Sequence, residues 1–225
     1  MVNVTFLVRD RFNLTRQTLE SFADAGTIEK KIVTILDDRS RKPTREFVEC
    51  WCSDHNANYI RNEFPMGTGP LRNVVIKSSV PRGQYLYVSD NDLFFNPQWL
   101  DRLILSYEDA WGYGFRVIGA YNHPFHVPEY VLGIGVKKVN ALATQSMLMR
   151  WEVWDKYGPF CQTPVDKVCQ SEDVDFTNKI VADGFKLGVV SPALVVSTGI
   201  TNTFGEKIPG WELVKAQAPE GVIVE

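Results

Sequence analysis

Several features that would fix a protein's class at a glance are missing from this sequence. No stretch approaches the ~18 consecutive apolar residues of a membrane-spanning helix. The richest run, Leu187–Val196, is short and interrupted by Ser191 and Pro192. The apolar start, Met1–Val8, gives way at once to Arg9, Asp10 and Arg11, too short for the core of a secretory signal, and reads as a first β-strand. The four cysteines, Cys50, Cys52, Cys161 and Cys169, form no C-x-x-C pair, and their spacing favours no disulfide connectivity. Reduced thiols and a cytoplasmic location are therefore expected. A zinc site from two distant pairs is disfavoured, because metal knuckles place their ligands close together. Neither sign of charge prevails: 24 Lys and Arg face 27 Asp and Glu, for a net charge of -3. This balance argues against broad phosphate contact, and a nucleic-acid partner would need a local basic patch. No Walker loop or dinucleotide fingerprint is present, which disfavours NTPase and dehydrogenase chemistry.

What is present is an ordinary globular composition, 225 residues with 44% hydrophobic and 12% aromatic. A chain of this length removes roughly 70% of its unfolded surface from water, enough for a core without staples. With no internal repeat, low-complexity tract or linker, a single domain is expected over 1–225. The first half alternates strand-like and helix-like segments. Val2–Val8 precedes a helix that Asn13 is placed to cap, with Leu14, Leu19 and Phe22 on one side and Gly26 as its stop. Lys31–Leu36 is a near-continuous apolar run of the kind buried on both faces. Pro43 suits the first turn of a helix carrying Phe47, Val48 and Trp51, and Asn58–Arg61 makes a short strand. After Gly67 and Gly69 a helix turns Leu71, Val74, Val75 and Ser78 inward. Then come the strand Tyr85–Val88 and a helix opened by Asn96-Pro97 that buries Trp99, Leu100, Leu103 and Tyr107. The second half is less regular: a loop over 122–128, a strand at Ser146–Met149, a short helix at Glu152–Tyr157, and a helix from Ser171 to about Ala182 stopped by Gly184.

Repeated βα units imply right-handed crossovers and an α/β fold with a mainly parallel sheet flanked by helices on both faces. Ligands bind such sheets beyond the carboxyl ends of the strands. Two acidic clusters fall there, Asp37-Asp38 after the second strand and Asp90-Asn91-Asp92 after the fourth. At an extended strand end Asp90 and Asp92 point to the same side and suit a hard divalent cation. With 14 aspartates in the chain a D-x-D also arises by chance, and Asp173 with Asp175 makes a second copy. Only the first follows an apolar strand at the ligand edge. Asp37-Asp38 suits either a nucleoside's N–H and O–H donors or a simple Asx turn. Arg72, just inside its helix, could meet a diphosphate alongside backbone donors. Glu172 and Asp173 open a helix, where carboxylates gain ~0.3–1 kcal/mol from the helix dipole or serve to take a proton from an attacking hydroxyl. Trp151 and Trp154 suit sugar stacking or core packing equally, and His123 and His126 sit in a loop where binding is the less usual role. The run Arg39–Arg45 is most simply a solvated loop.

In order, these segments resemble nucleotide-sugar glycosyltransferases of the GT-A fold, most closely family 2, over roughly Val4–Val190. VTFLVRDRFNLTRQTLESF resembles that family's opening strand, Arg-containing turn and helix; IVTILDDRS its D-D-G-S turn, with Arg39 for glycine; GTGPLRN its G-x-x-x-A-R-N segment, with Leu71 for alanine. YLYVSDNDLFFNPQWL carries the D-x-D, and MLMRWEVWDKYGPF followed by SEDVDFTNKIVADGFKL is the most specific portion. The resemblance implies a Rossmann-like GT-A sheet, a donor half over about 1–95, an acceptor and catalytic half over about 96–205, and a tail over 206–225. It implies a nucleotide-diphosphate sugar donor at Val8, Arg9, Asp37, Asp38, Arg72, Asp90 and Asn91, and Mn²⁺ or Mg²⁺ at Asp92 with Asp90. Asp173 is the implied catalytic base beside Glu172, with weak acceptor contacts at Trp151, Trp154 and His123 and inversion at the sugar C1. Such enzymes often carry a further metal-binding histidine after the last strand, where VVSTGITNTFG offers Ser197 and Thr198. The acceptor would be a hydroxyl on a glycan, small molecule or polymer, modified DNA included but not favoured. The alternative on the same scaffold is a non-catalytic nucleotide-sugar or carbohydrate-binding protein.

Overall fold

The apolar runs of the amino-terminal half become parallel strands separated by helices. The computed structural model describes residues 1–64, 66–121, 129–130, 133–161, 172–200, 207 and 211–225. The chain begins β1 (Val2–Val8), α1 (Phe12–Asp24), β2 (Lys31–Asp38), α2 (Lys42–Asp54), β3 (Asn58–Asn62), α3 (Thr68–Ser78) and β4 (Tyr85–Asp90). Alternate strand residues enter different hydrophobic clusters: Val4, Phe6, Ile35 and Tyr87 one, Leu36, Leu86 and Val88 the other. Both faces of the sheet are therefore covered. Register aligns the strand ends, Val8 standing opposite Asp37 of β2 and Leu7 opposite Asp90 of β4.

The chain continues through β5 (Leu93–Phe95), α4 (Trp99–Trp111), β6 (Phe115–Gly119), β7 (Glu129–Tyr130), β8 (Val136–Val139), β9 (Ser146–Arg150), α5 (Trp151–Tyr157), α6 (Glu172–Ala182), β10 (Lys186–Val190), β11 (Val195–Ser197) and α7 (Trp211–Gln217). The main sheet has the order β3-β2-β1-β4-β9-β6-β10-β8-β7, and β11 pairs separately with β5. Among the described strands of this sheet, β9 and β8 run against β1, so it is mixed but mainly parallel, an α/β arrangement of the Rossmann-like GT-A kind. Among the described residues no helix is long and apolar enough to cross a membrane.

Two local expectations are revised. Asn13 does not cap α1: Arg11 occupies that position in a left-handed conformation, while Asn13 lies inside the helix and donates to Glu225 Oε1 at 2.9 Å. On α3 the buried face is Leu71, Arg72, Val75 and Ile76, with Val74 exposed, because carboxylates outside the helix draw Arg72 inward. The carboxyl-terminal tail forms α7 and then runs back along α1, where Gln17 exchanges hydrogen bonds with the backbone of Ile223. Ser171, expected to cap α6, and the loop over 122–128 lie outside the described residues.

Candidate active site

The chain leaves β1 for β2 and β3 on one side and returns at β4 on the other, so strand order reverses between β1 and β4. A crevice at the carboxyl ends of such neighbours is where an open α/β sheet receives its ligand. After β1, Asp10 and Arg11 both adopt left-handed backbone, φ 51° and 53°, a conformation that costs a non-glycine residue on the order of 1 kcal/mol or more. Neighbouring groups hold the turn there. The Asp10 amide donates to Ser40 Oγ at 2.9 Å, Asp10 Oδ1 accepts from the Arg41 amide at 2.7 Å, and its carbonyl accepts from Thr15 Oγ1 at 2.8 Å. Asn91, buried after β4, donates to Thr15 Oγ1 at 2.7 Å and fastens this turn to the adjoining strand end. Arg11 consequently reaches Asp92, NH1 to Oδ2 at 2.8 Å.

A cavity of about 250 Å³ opens at this edge, and its wall includes Arg9, Arg11, Asp38, Arg72, Asp90 and Asp92. The two aspartates ending β2 part company. Asp37 is fully buried and saturated, accepting from the Ser40 amide at 2.8 Å, Tyr59 Oη at 2.9 Å and Arg61 NH1 at 2.6 Å. Asp38 borders the cavity and accepts from Asn62 Nδ2 at 2.8 Å and Arg9 NH1 at 3.3 Å. Between them and the following helix, Arg39 stands at φ 57°, the backbone that explains why glycine suits this position. Val8 gives its side chain to the core.

Arg72, 2% exposed, links the two acidic regions. Its NH2 donates to Asp90 Oδ1 at 2.5 Å and its Nε to Glu172 Oε1 at 3.4 Å, while NH1 is buried without a partner among the described residues. Burial works against the guanidinium's charge, but the two carboxylates outweigh it and raise its pKa. Asp173, one residue on, is half-buried at the start of α6, and its Oδ1 accepts from the Val174 amide at 2.8 Å. The cavity wall does not include it. The second D-x-D is helical, and Asp175 pairs with Lys179 at 2.7 Å on the surface.

Asp92 is held on both oxygens, by Arg11 and by Gln145 Nε2 at 3.0 Å on Oδ1. Burial, then the neighbouring charge of Asp90, pushes its carboxyl up against the opposing pull of Arg11. Gly199 packs against it so closely that a Cβ there would lie 2.1 Å from Asp92 Oδ2. Gly199→Ala is expected to displace the carboxylate and lower stability by ~1–3 kcal/mol through overpacking, measured by chemical denaturation; unchanged stability would mean the contact relaxes freely. A divalent cation does not fit these partners. Asp90 Oδ1 is bonded to Arg72 and Asp92 to Arg11 and Gln145, so a cation at either carboxylate would stand beside a guanidinium of like charge, and no group of three His, Cys, Asp or Glu side chains among the described residues is placed to hold a metal.

The expected acceptor contacts are not brought to the cavity. Trp151 and Trp154 are 6% and 5% exposed. The first donates its indole N–H to Asn3 Oδ1 at 3.0 Å, and the second packs on Phe160 and Phe176, so core packing claims both. His123 lies outside the described residues. The basic run after β2 is offset locally, Arg41 pairing with Asp10 and Lys42 with Glu46. Sequence reasoning missed Arg11, Gln145 and Gly199; the R-x-R spacing of Arg9 and Arg11 directly after β1 is the signal that could have found the first.

Comparison with known proteins agrees with this architecture. No curated protein matches the sequence. Among solved structures, the mannosyltransferase PcManGT from Pyrobaculum calidifontis, in complex with GDP-Man and Mn²⁺, superposes with a TM-score of 0.66 at 13% identity, over 96% of this chain and 61% of that one. S. aureus TarS 1-349 gives 0.62 at 19% identity over 85% and 58%, and GalNAc-T7 with UDP, GalNAc and Mn²⁺ gives 0.64 at 14% over 88% and 43%. The chain thus spans between 43% and 61% of the length of these proteins. The sequence model of glycosyl transferase family 2 matches residues 6–134, more than half of the chain, and with the GT-A fold this places the chain in glycosyltransferase family 2.

Proposed function

We propose that this protein transfers a sugar from a nucleoside-diphosphate donor to an acceptor hydroxyl with inversion at the sugar C1. The observation that carries the reading is the convergence of Arg9, Arg11, Arg72, Asp38 and Asp90 on one cavity at the strand-order reversal. Asp38 and its neighbours suit the hydroxyl and N–H donors of a nucleoside, and guanidinium forks suit phosphate oxygens. The solved relatives with GDP-Man or with UDP and GalNAc are consistent with a donor of this class. Asp173 takes the proton of the acceptor hydroxyl as its oxygen bonds to C1, while the C1–O bond to the diphosphate breaks on the opposite face and carries its electrons away. The Mn²⁺ or Mg²⁺ that the family resemblance implies would compete at Asp92 and Asp90 with the guanidinium and amide groups that these carboxylates already bind.

A panel of nucleotide sugars, each with and without Mn²⁺ or Mg²⁺, tests the reading by melting temperature and by slow release of nucleoside diphosphate. A true donor at 100-fold its Kd adds ~2.7 kcal/mol, which for a chain of this size raises Tm by roughly 5–10 °C. If no nucleotide sugar shifts the transition and none is hydrolysed, the proposal fails.

A further inference from the structure

We propose that Arg11 takes the place of a divalent cation in holding the donor's diphosphate, so that this chain binds its donor without metal. The inference rests on the reading of the cavity as a nucleotide-sugar site. It starts from the state of Asp92, the residue a cation would most need. Its Oδ2 accepts from Arg11 NH1 at 2.8 Å and its Oδ1 from Gln145 Nε2 at 3.0 Å. Gly199 closes the space beside Oδ2. A magnesium or manganese ion takes oxygen ligands in a near-octahedral shell, and at Asp92 it would stand beside a guanidinium of like charge already bonded to the same carboxylate.

The surroundings are arranged for the guanidinium instead. Gln145 is itself oriented, its Nε2 also reaching Ser197 Oγ at 2.9 Å, so the hydroxyl at the end of β11 supports Gln145 and supplies no imidazole. Arg11 is set in place by a left-handed backbone that Ser40, Arg41 and Thr15 hold. Its side chain is 22% exposed and forms part of the cavity wall while anchored on Asp92. Three guanidinium groups, Arg9, Arg11 and Arg72, and three carboxylates, Asp38, Asp90 and Asp92, line that wall. Their formal charges cancel, so net charge favours neither a dication nor a diphosphate, and the placement of the guanidinium groups decides between them. An incoming diphosphate would share or displace the present partners of Arg11, Asp92 on NH1 and the Glu225 carbonyl 3.5 Å from NH2, and would meet a planar group suited to phosphate oxygens. A guanidinium of permanent charge at this position offsets the negative charge of the leaving diphosphate in the way a bound cation does.

Isothermal titration of UDP, GDP, CDP, ADP and dTDP into chelator-treated protein, and again in the presence of Mn²⁺, decides the matter. The expected result is that one of them binds in chelator with a Kd within roughly threefold of its value with Mn²⁺. The electron paramagnetic resonance signal of free Mn²⁺ should be undiminished by the protein alone. Arg11→Ala should weaken metal-free binding by roughly 10- to 100-fold, and Arg11→Lys, which keeps the charge and loses the fork, by less. Melting curves check that both variants fold, and the comparison of wild-type protein with and without metal stands whether or not they do. Binding that appears only after Mn²⁺ is added overturns the inference and leaves the transferase reading intact, as does unchanged metal-free affinity in a folded Arg11→Ala protein. If none of the five binds under either condition, the nucleotide-sugar reading falls and this inference with it.

Discussion

Replacing Arg72 with methionine is expected to lower the free energy of unfolding by about 3–5 kcal/mol, the cost of leaving buried charges without their partner, and so to reduce Tm by roughly 6–20 °C. The side chain is 3% exposed, and among the described residues it alone pairs with both Asp90 at the end of β4 and Glu172 at the start of α6. Those carboxylates are 30% and 18% exposed, so water reaches them partly and the loss falls toward the lower end of the range. Methionine fills much of the same volume, which keeps the effect electrostatic and does not open a cavity. Lys42→Met serves as the control: its pair with Glu46 is exposed on both sides and should leave Tm unchanged within error. Chemical denaturation of the two variants compares them directly, and an Arg72→Met protein as stable as the control would show that the triad holds nothing together.

The same triad shows why some of the site was legible in the sequence and some was not. That carboxylates gather at one edge follows from local pattern, since apolar runs ending in Asp37-Asp38 and in Asp90 must, in parallel register, finish on the same side of the sheet. Which carboxylate faces the ligand does not follow. Asp37 and Asp38 are adjacent and chemically identical, and strand alternation sends the first into Tyr59 and Arg61 and the second to the cavity, a choice set by β3 some twenty residues downstream. In the sequence Arg11 reads only as a polar residue ending the apolar start, because its partnership with Asp92 depends on two consecutive left-handed residues, of which Asp10 is a favoured type and Arg11 is not. Trp151 and Trp154 carry an i, i+3 spacing that fits a sugar platform and a core equally, and only the position of Asn3 and Phe176 decides for the core. In the second half the difficulty lies in the pairing. β9 inserts antiparallel between β4 and β6, a long-range event that leaves no periodic trace in a five-residue strand.

Asp173→Asn is expected to reduce sugar transfer by at least ~100-fold, the lower bound of what a positioned general base contributes, with donor affinity and stability nearly unchanged. The residue's role in the fold is small and the substitution respects it. Its Oδ1 accepts from the Val174 amide at 2.8 Å, and an asparagine oxygen accepts the same bond. What asparagine lacks is the capacity to take a proton from the acceptor hydroxyl. Glu172→Gln makes the contrasting case one residue earlier. Glutamine keeps the shape but removes one of the two charges facing Arg72, so its deficit should appear in the melting temperature before it appears in turnover. The neighbouring carboxylates are therefore separable by which measurement each moves. Should folded Asp173→Asn retain full turnover while Glu172→Gln at a temperature well below its transition does not, the base is Glu172. Arg72 would then be the group that holds that base in place, 3.4 Å from its carboxylate, and the Arg72 variant would lose transfer along with stability.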